Sequence, residues 1–222
     1  MIKPKIIVFD VDGVLLQGYE FSWKLIWEFL NYDDSIRKKG FSMYINKELT
    51  YQQWCEWCLK YFKDKKLSYQ DLEKITKDIK VEESLFKLLK YCKKNSIKLG
   101  VVSGGIDVFL KIKIPELTSF IDENNIYINT FSFNEKHLLE SVKSTPYDFD
   151  QKLDAIKKIS SENNISLDKV MFLGDNLNDI NALKYVGYGI AFNTKNPKVL
   201  DVAKTSCDTM KDILNLLEDK NN

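Results

Sequence analysis

Asp10-Val11-Asp12-Gly13 places two carboxylates two residues apart at the end of a short apolar run. In extended backbone, side chains at i and i+2 point to the same side. Carboxylates so placed repel unless a cation or proton intervenes. The pair suits one group as nucleophile and metal ligand and the other as acid/base, and Gly13 lets the chain turn away sharply. An Asp-Gly turn with incidental charge is the plain alternative. Ser103-Gly104-Gly105 follows a second apolar run. If a helix opens there, its exposed N–H groups attract phosphate; a flexible turn is the alternative. Gly174-Asp175-Asn176-Leu177-Asn178-Asp179 follows a third run. Aspartates at i and i+4 around a turn offer the oxygen ligands that a hard divalent cation prefers, while a polar cap on a helix starting near Asn178 explains them otherwise. Several carboxylates and a phosphate cannot share a crevice without positive charge. A Mg²⁺ and Lys152, at the start of an amphipathic stretch, are the simplest balance.

These groups need elements to carry them. Short apolar runs at residues 5–9, 97–102, 169–173 and 189–192 suit strands buried on both faces. Helical spacing lies between and after them. It is seen in Leu85, Leu88, Leu89 and Cys92; in Leu153, Ile156 and Ile159; in Ile180, Leu183 and Val186; and in Met210, Ile213, Leu214 and Leu217. The alternation predicts an α/β fold, a doubly wound parallel sheet. Ligands in such sheets bind at the carboxyl ends of the strands. Asp10, Asp12, Ser103 and Asp175 are therefore expected to converge.

Residues 17–80 break the alternation. They carry no convincing strand, all four tryptophans and six of the eleven tyrosines. Ser68 reads as the N-cap of a helix beginning at Tyr69, with Asp71 in its first turn. This stretch is expected to be a helical cap subdomain, residues 17–80, inserted in a core domain of residues 1–16 and 81–222. Residues 126–142 alternate in places and fit a hairpin or an edge strand. The tryptophans suit core packing or stacking of a ring-shaped leaving group on Trp23 or Trp54. Cys55-x-x-Cys58 lies mid-helix without a second ligand pair, which argues against a redox or zinc role. His137 is expected to be an exposed residue near the hairpin.

The 222 residues carry 33 basic and 32 acidic side chains, a net charge of +1. That excludes the electrostatic footprint of a dedicated nucleic-acid binder. No apolar stretch nears the ~18 residues of a membrane span. An N-terminal apolar run holding two aspartates is no signal-peptide core. With four cysteines and no export signal, the thiols are expected to be reduced and the protein cytoplasmic, as a monomer or homodimer.

The order Asp-x-Asp, Ser, Lys, Gly-Asp-x-x-x-Asp resembles the haloacid dehalogenase (HAD) superfamily of phosphohydrolases. From Lys98 onward, LGVVSGGIDVFL, QKLDAIKKI and VMFLGDNLNDINALKYVGYGIAFNTKNPKVL look most like its phosphoserine phosphatase branch. The resemblance implies a HAD-like Rossmannoid core under a mobile cap, Mg²⁺ as cofactor and a small phosphorylated metabolite as substrate. It implies Asp10 as nucleophile, forming an aspartyl-phosphate, and Asp12 as acid/base. Mg²⁺ would be held by the side chains of Asp10 and Asp175 and the backbone carbonyl of Asp12. Asp179 belongs to the same acidic set and would orient metal-bound water or Lys152. Ser103 and Lys152 would bind the phosphoryl group beside Gly104, and Asn178 matches a position touching the site. Because Asp12 is present, the resemblance implies a phosphatase or a phosphomutase. Receiver-type signalling domains combine similar groups in about half the length, without a cap. Phosphoserine phosphatases grip their amino acid with a cap glutamate and a cap arginine. Glu20 matches the first. The only arginine, Arg37, comes early, and the expected place offers Gln52, Gln53 and Trp54 instead. Phosphoserine is therefore carried as an alternative substrate.

Overall fold

The computed structural model describes residues 3–147 and 151–218. The chain enters through β1 (Ile6–Phe9) and β2 (Leu16–Gln17). Four helices follow, α1 (Ser22–Phe29), α2 (Asp34–Ile45), α3 (Tyr51–Asp64) and α4 (Tyr69–Thr76), and then β3 (Lys80–Val81). Beyond α5 (Leu85–Lys94) come β4 (Lys98–Ile106), α6 (Asp107–Lys113), β5 (Ile126–Phe133) and β6 (Leu139–Lys143). The chain closes with α7 (Lys152–Glu162), β7 (Val170–Gly174), α8 (Ile180–Tyr185), β8 (Tyr188–Phe192), α9 (Pro197–Leu200), β9 (Thr205–Cys207) and α10 (Met210–Glu218).

The main sheet has the order β6-β5-β4-β1-β7-β8-β9 and is parallel except for the β5–β6 hairpin. β1 lies centrally, between β4 and β7. Its four side chains are fully buried and divide by alternation. Ile7 and Phe9 join the cluster that holds α5 and the aromatic helices, whereas Ile6 and Val8 join Ile156 and Ile159 of α7 and Leu183 of α8. An all-apolar strand is required because both faces are covered.

The helical segment is bracketed by a two-stranded antiparallel ribbon, in which Leu16 pairs with Val81 and Gln17 with Lys80. Reciprocal capping boxes start its last two helices, Thr50 with Gln53 on α3 and Ser68 with Asp71 on α4. Trp23, Trp27, Trp54 and Phe62 are buried among one another. Cys55 and Cys58 are both buried. Burial lifts the Cys58 thiol to about 12, which leaves it inert as a thiolate nucleophile.

One local outcome differs from the sequence reading, and another settles a choice it left open. Ser103-Gly104-Gly105 does not open a helix: β4 continues to Ile106, with a register shift against β5 between Val102 and Ile106. The Asn129 amide donates to the carbonyls of both Gly104 and Gly105, at 2.8 and 3.0 Å, and holds this bulged stretch in the sheet. Residues 126–142 form a hairpin rather than a lone edge strand. Exposed His137 sits in its turn at φ 56°.

Candidate active site

β1 ends at Phe9, so Asp10 emerges at the carboxyl end of the central strand. Its N–H donates to the Leu173 carbonyl of β7. β7 ends at Gly174, and Asp175 follows on the adjacent strand end. Ser103 lies on β4, the other neighbour, and Lys152 opens α7. Fold topology thus gathers groups up to 165 positions apart in sequence, Asp10 and Asp175. One cavity of about 360 Å³ is lined by Asp10, Asp12, Ser103, Gly104, Lys152, Asp175 and Asn178, and also by Glu20.

Lys152 is the electrostatic centre. Its buried ammonium donates to Asp10 Oδ2 at 2.7 Å and to Asp179 Oδ1 at 2.6 Å. Burial alone would depress the ammonium pKa. The charges and hydrogen bonds of Asp10 and Asp179 outweigh it and hold that pKa above its usual value. The second oxygen of Asp179 accepts from the N–H groups of Asp175 and Asn176, at 2.9 and 3.1 Å. Asp179 therefore fixes both the lysine and the loop that carries Asp175. Gly174 is required there, since a Cβ would sit 2.5 Å from Asp179 Cγ.

Oxygens of Asp10, Asp175 and Asp179 lie within 4.8 Å of one another. Asp175 presses against Gly13, whose φ of +84° and lack of a Cβ permit the approach; a Cβ there would lie 2.2 Å from Asp175 Oδ2. Among the described residues, no donor bonds the Asp175 carboxylate. Burial, then the Asp10 and Asp179 charges, push its pKa up to about 8. A carboxylate facing two others with no donor of its own has the chemistry of a divalent-cation ligand, and Mg²⁺ suits an all-oxygen set.

The Asp12 carboxylate stands apart from that cluster. Tyr19 Oη donates to one oxygen at 2.6 Å, and the Ser22 N–H and hydroxyl donate to the other at 2.8 and 2.9 Å. Burial raises its pKa, with the Asp10 charge adding and these hydrogen bonds opposing. Ser103 is buried, and its hydroxyl accepts from the Gly105 N–H at 3.0 Å.

Sequence reasoning missed three residues here. Tyr19 and Ser22 lie within ten positions of Asp12, but nothing in their spacing marks them as its donors. Arg37, set aside as too early, lines the cavity with Glu20 because α2 folds back over it. Its Nε pairs with Asp34 at 2.6 Å and its guanidinium lies 5.7 Å from the Phe21 ring centre. Glu20, in turn, pairs with Lys24. Gln52 and Gln53 serve structure: Gln53 completes the α3 capping box, and Gln52 bonds Ser144 N–H and the Val142 carbonyl.

A pH dependence follows for the metal-free protein. Asp175 has a folded pKa near 8 against about 3.9 unfolded. Its contribution to stability is complete below pH ~4 and is lost as the pH rises through about 8, because over that window the folded state binds more protons. Melting temperatures in EDTA should fall from pH 5 to pH 8. Added Mg²⁺ should raise them more at pH 8 than at pH 5, and a Mg²⁺ effect equal at both pH values would contradict this.

A central parallel strand ending in a carboxylate, a second acidic strand end and a buried lysine define a doubly wound α/β enzyme with a carboxylate centre. More particularly, this chain belongs to the haloacid dehalogenase-like hydrolases, whose family model matches residues 42–215. The chain is 31% identical over 121 residues to a phosphoserine phosphatase of Lactococcus lactis, covering 54% of each chain. It is 25% identical to one of Methanocaldococcus jannaschii over 97% of each chain. It spans only about half the length of some relatives, such as the phosphoserine phosphatase of Archaeoglobus fulgidus, of which it covers 54%. A substrate-bound phosphoserine phosphatase structure superposes with a TM-score of 0.72 at 24% identity, over 96% of this chain and 98% of that one. A HAD-family hydrolase from Salmonella enterica gives 0.76 at 19% identity, over 99% and 74%. These two structures share the fold. Among the described residues, no helix is long and apolar enough to cross a membrane.

Proposed function

We propose that the protein is a Mg²⁺-dependent phosphatase that hydrolyses a small phosphomonoester through an aspartyl-phosphate on Asp10. The observation that carries this reading is the convergence of Asp10, Asp175 and Asp179 around buried Lys152. An Asp10 carboxylate oxygen attacks phosphorus as the bond to the leaving oxygen breaks, and Asp12 gives that oxygen its proton. Asp12 then takes a proton from water, which attacks the phosphoryl group, releases inorganic phosphate and restores Asp10. Lys152 and Ser103 with Gly104 hold the phosphoryl oxygens, and Asn178 lies beside them. Asp10, Asp175 and the Asp12 carbonyl would hold Mg²⁺, which supplies positive charge against an incoming dianion. Asp179, its oxygens engaged by Lys152 and two N–H groups, orients those neighbours.

The same reading assigns residues 1–16 and 81–222 to the core and 17–80 to a cap over the site. The ribbon pairing Leu16 with Val81 at the two crossing points supports this boundary. Four buried cysteines in 222 residues, too few for a disulfide scaffold, suit a reducing cytoplasm.

The test is phosphate release from p-nitrophenyl phosphate. Turnover should require Mg²⁺, vanish in EDTA and return when Mg²⁺ is restored. Undiminished turnover in EDTA, or transfer of the phosphoryl group without release, would exclude this reading. Phosphoserine is a second reading of the substrate, favoured by Glu20 and Arg37 lining the same cavity and by the names of the relatives.

A further inference from the structure

We propose that the cavity selects phosphomonoesters whose alcohol carries a flat apolar ring. This deepens the phosphatase reading and rests on it. The cavity has two unlike linings. Asp10, Ser103, Lys152 and Asp175 supply a polar one, and the helical segment supplies aromatic side chains, among them Trp23, Tyr44, Tyr51 and Trp54. Its volume, about 360 Å³, lies within the ~300–1,000 Å³ of ordinary small-molecule sites.

The orientation of polar atoms decides what the aromatic lining offers. Trp23 Nε1 donates to the Gly104 carbonyl at 2.9 Å, and Tyr51 Oη accepts from Asn129 Nδ2 at 2.9 Å. The Trp23 N–H is spent on β4 and the Tyr51 oxygen is engaged from β5, so these two side chains line the cavity mainly with ring surface. Tyr51 and Trp54 stack at 5.6 Å with planes 20° apart, and Trp23 meets Trp54 at 5.1 Å and 53°. The wall is also held in place. Thr50 and Gln53 cap α3, and Gln52 ties it to residues 142 and 144. A preformed wall of rings favours offset or edge contacts with another ring and loses little ordering entropy on binding.

The formal charges of Glu20 and Arg37 are already matched by near neighbours in sequence. Glu20 pairs with Lys24, and Arg37 pairs with Asp34 while lying over Phe21. The ammonium and carboxylate of an amino acid would meet charges with standing partners, whereas a ring needs none of them released.

The test compares 2-phenylethyl phosphate, n-butyl phosphate and O-phosphoserine, all esters of primary alcohols, by phosphate release with Mg²⁺. The ring ester should exceed both others in kcat/KM by about ten-fold or more, the gain lying mainly in KM. Trp54→Leu should erase most of that ratio, as should Tyr44→Leu at a half-buried and more tolerant position. Equal rates, a preference for phosphoserine, or a ratio unchanged in a folded variant would overturn the proposal. If no ester is hydrolysed, the phosphatase reading fails, and binding still decides the ring. Quenching of tryptophan fluorescence by 2-phenylethylphosphonate at concentrations where butylphosphonate is silent supports it, and no such difference overturns it.

Discussion

Lys152→Met will unfold at markedly lower temperature than the parent protein. The substitution roughly keeps the volume of the side chain but removes, among the described residues, the only cation bonded to Asp10 and Asp179, at 2.7 and 2.6 Å. All three groups are buried, so the little water that reaches them from the cavity replaces the ammonium poorly. Breaking a buried pair by deleting one partner costs about 3–5 kcal/mol, because an uncompensated charge stays behind. For a chain of this size that amounts to a fall in Tm of roughly 6–20 °C. The loop carrying Asp175 will loosen with it, since Asp179 holds that loop's N–H groups. Adding Asp179→Asn should recover part of the loss, as expected of coupled neighbours. Thermal melts of the two single variants and the double variant measure this, and a loss below about 1 kcal/mol in Lys152→Met would refute the pairing argument.

The largest effect on activity is expected of Asp10→Asn. The amide is nearly isosteric and keeps an oxygen for Lys152, so the fold should survive. An amide oxygen is a poor nucleophile toward phosphorus, however, and no other carboxylate takes its position at the end of β1. Turnover should fall by about 10⁴-fold or more, equivalent to roughly 5.5 kcal/mol of barrier. Acid quenching during turnover should trap phosphate on the parent protein and none on the variant. The control is the melting curve: a variant that melts near the parent temperature yet hydrolyses esters at a tenth of the parent rate would remove Asp10 from the reaction.

The parts most legible in the sequence were those fixed by local periodicity. The apolar run before Asp10 became the central strand because both its faces are covered, and alternation assigned Ile7 and Phe9 to one side and Ile6 and Val8 to the other. The Ser68 cap was legible because a capping box is local. Ser103-Gly104-Gly105 was misread because the bond that keeps it in the sheet comes from Asn129, 25 positions beyond Gly104. Arg37 was misplaced for a related reason. Its distance from Asp10 along the chain says nothing about how α2 folds back, and that return is set by packing among Trp54, Phe41 and Tyr44. Short strands such as Thr205–Cys207 leave too few residues for any period to show.

One consequence remains in the three donors on Asp12. Tyr19 and Ser22 belong to the stretch that leads into α1, not to the sheet that bears Asp12. In the proposed reaction, the residue that handles protons is thus anchored by the very segment that covers the ester. Grafting the helical insert of a relative onto this sheet would therefore exchange more than substrate preference: it would detach the acid from its moorings unless an equivalent phenol and hydroxyl travelled with the graft.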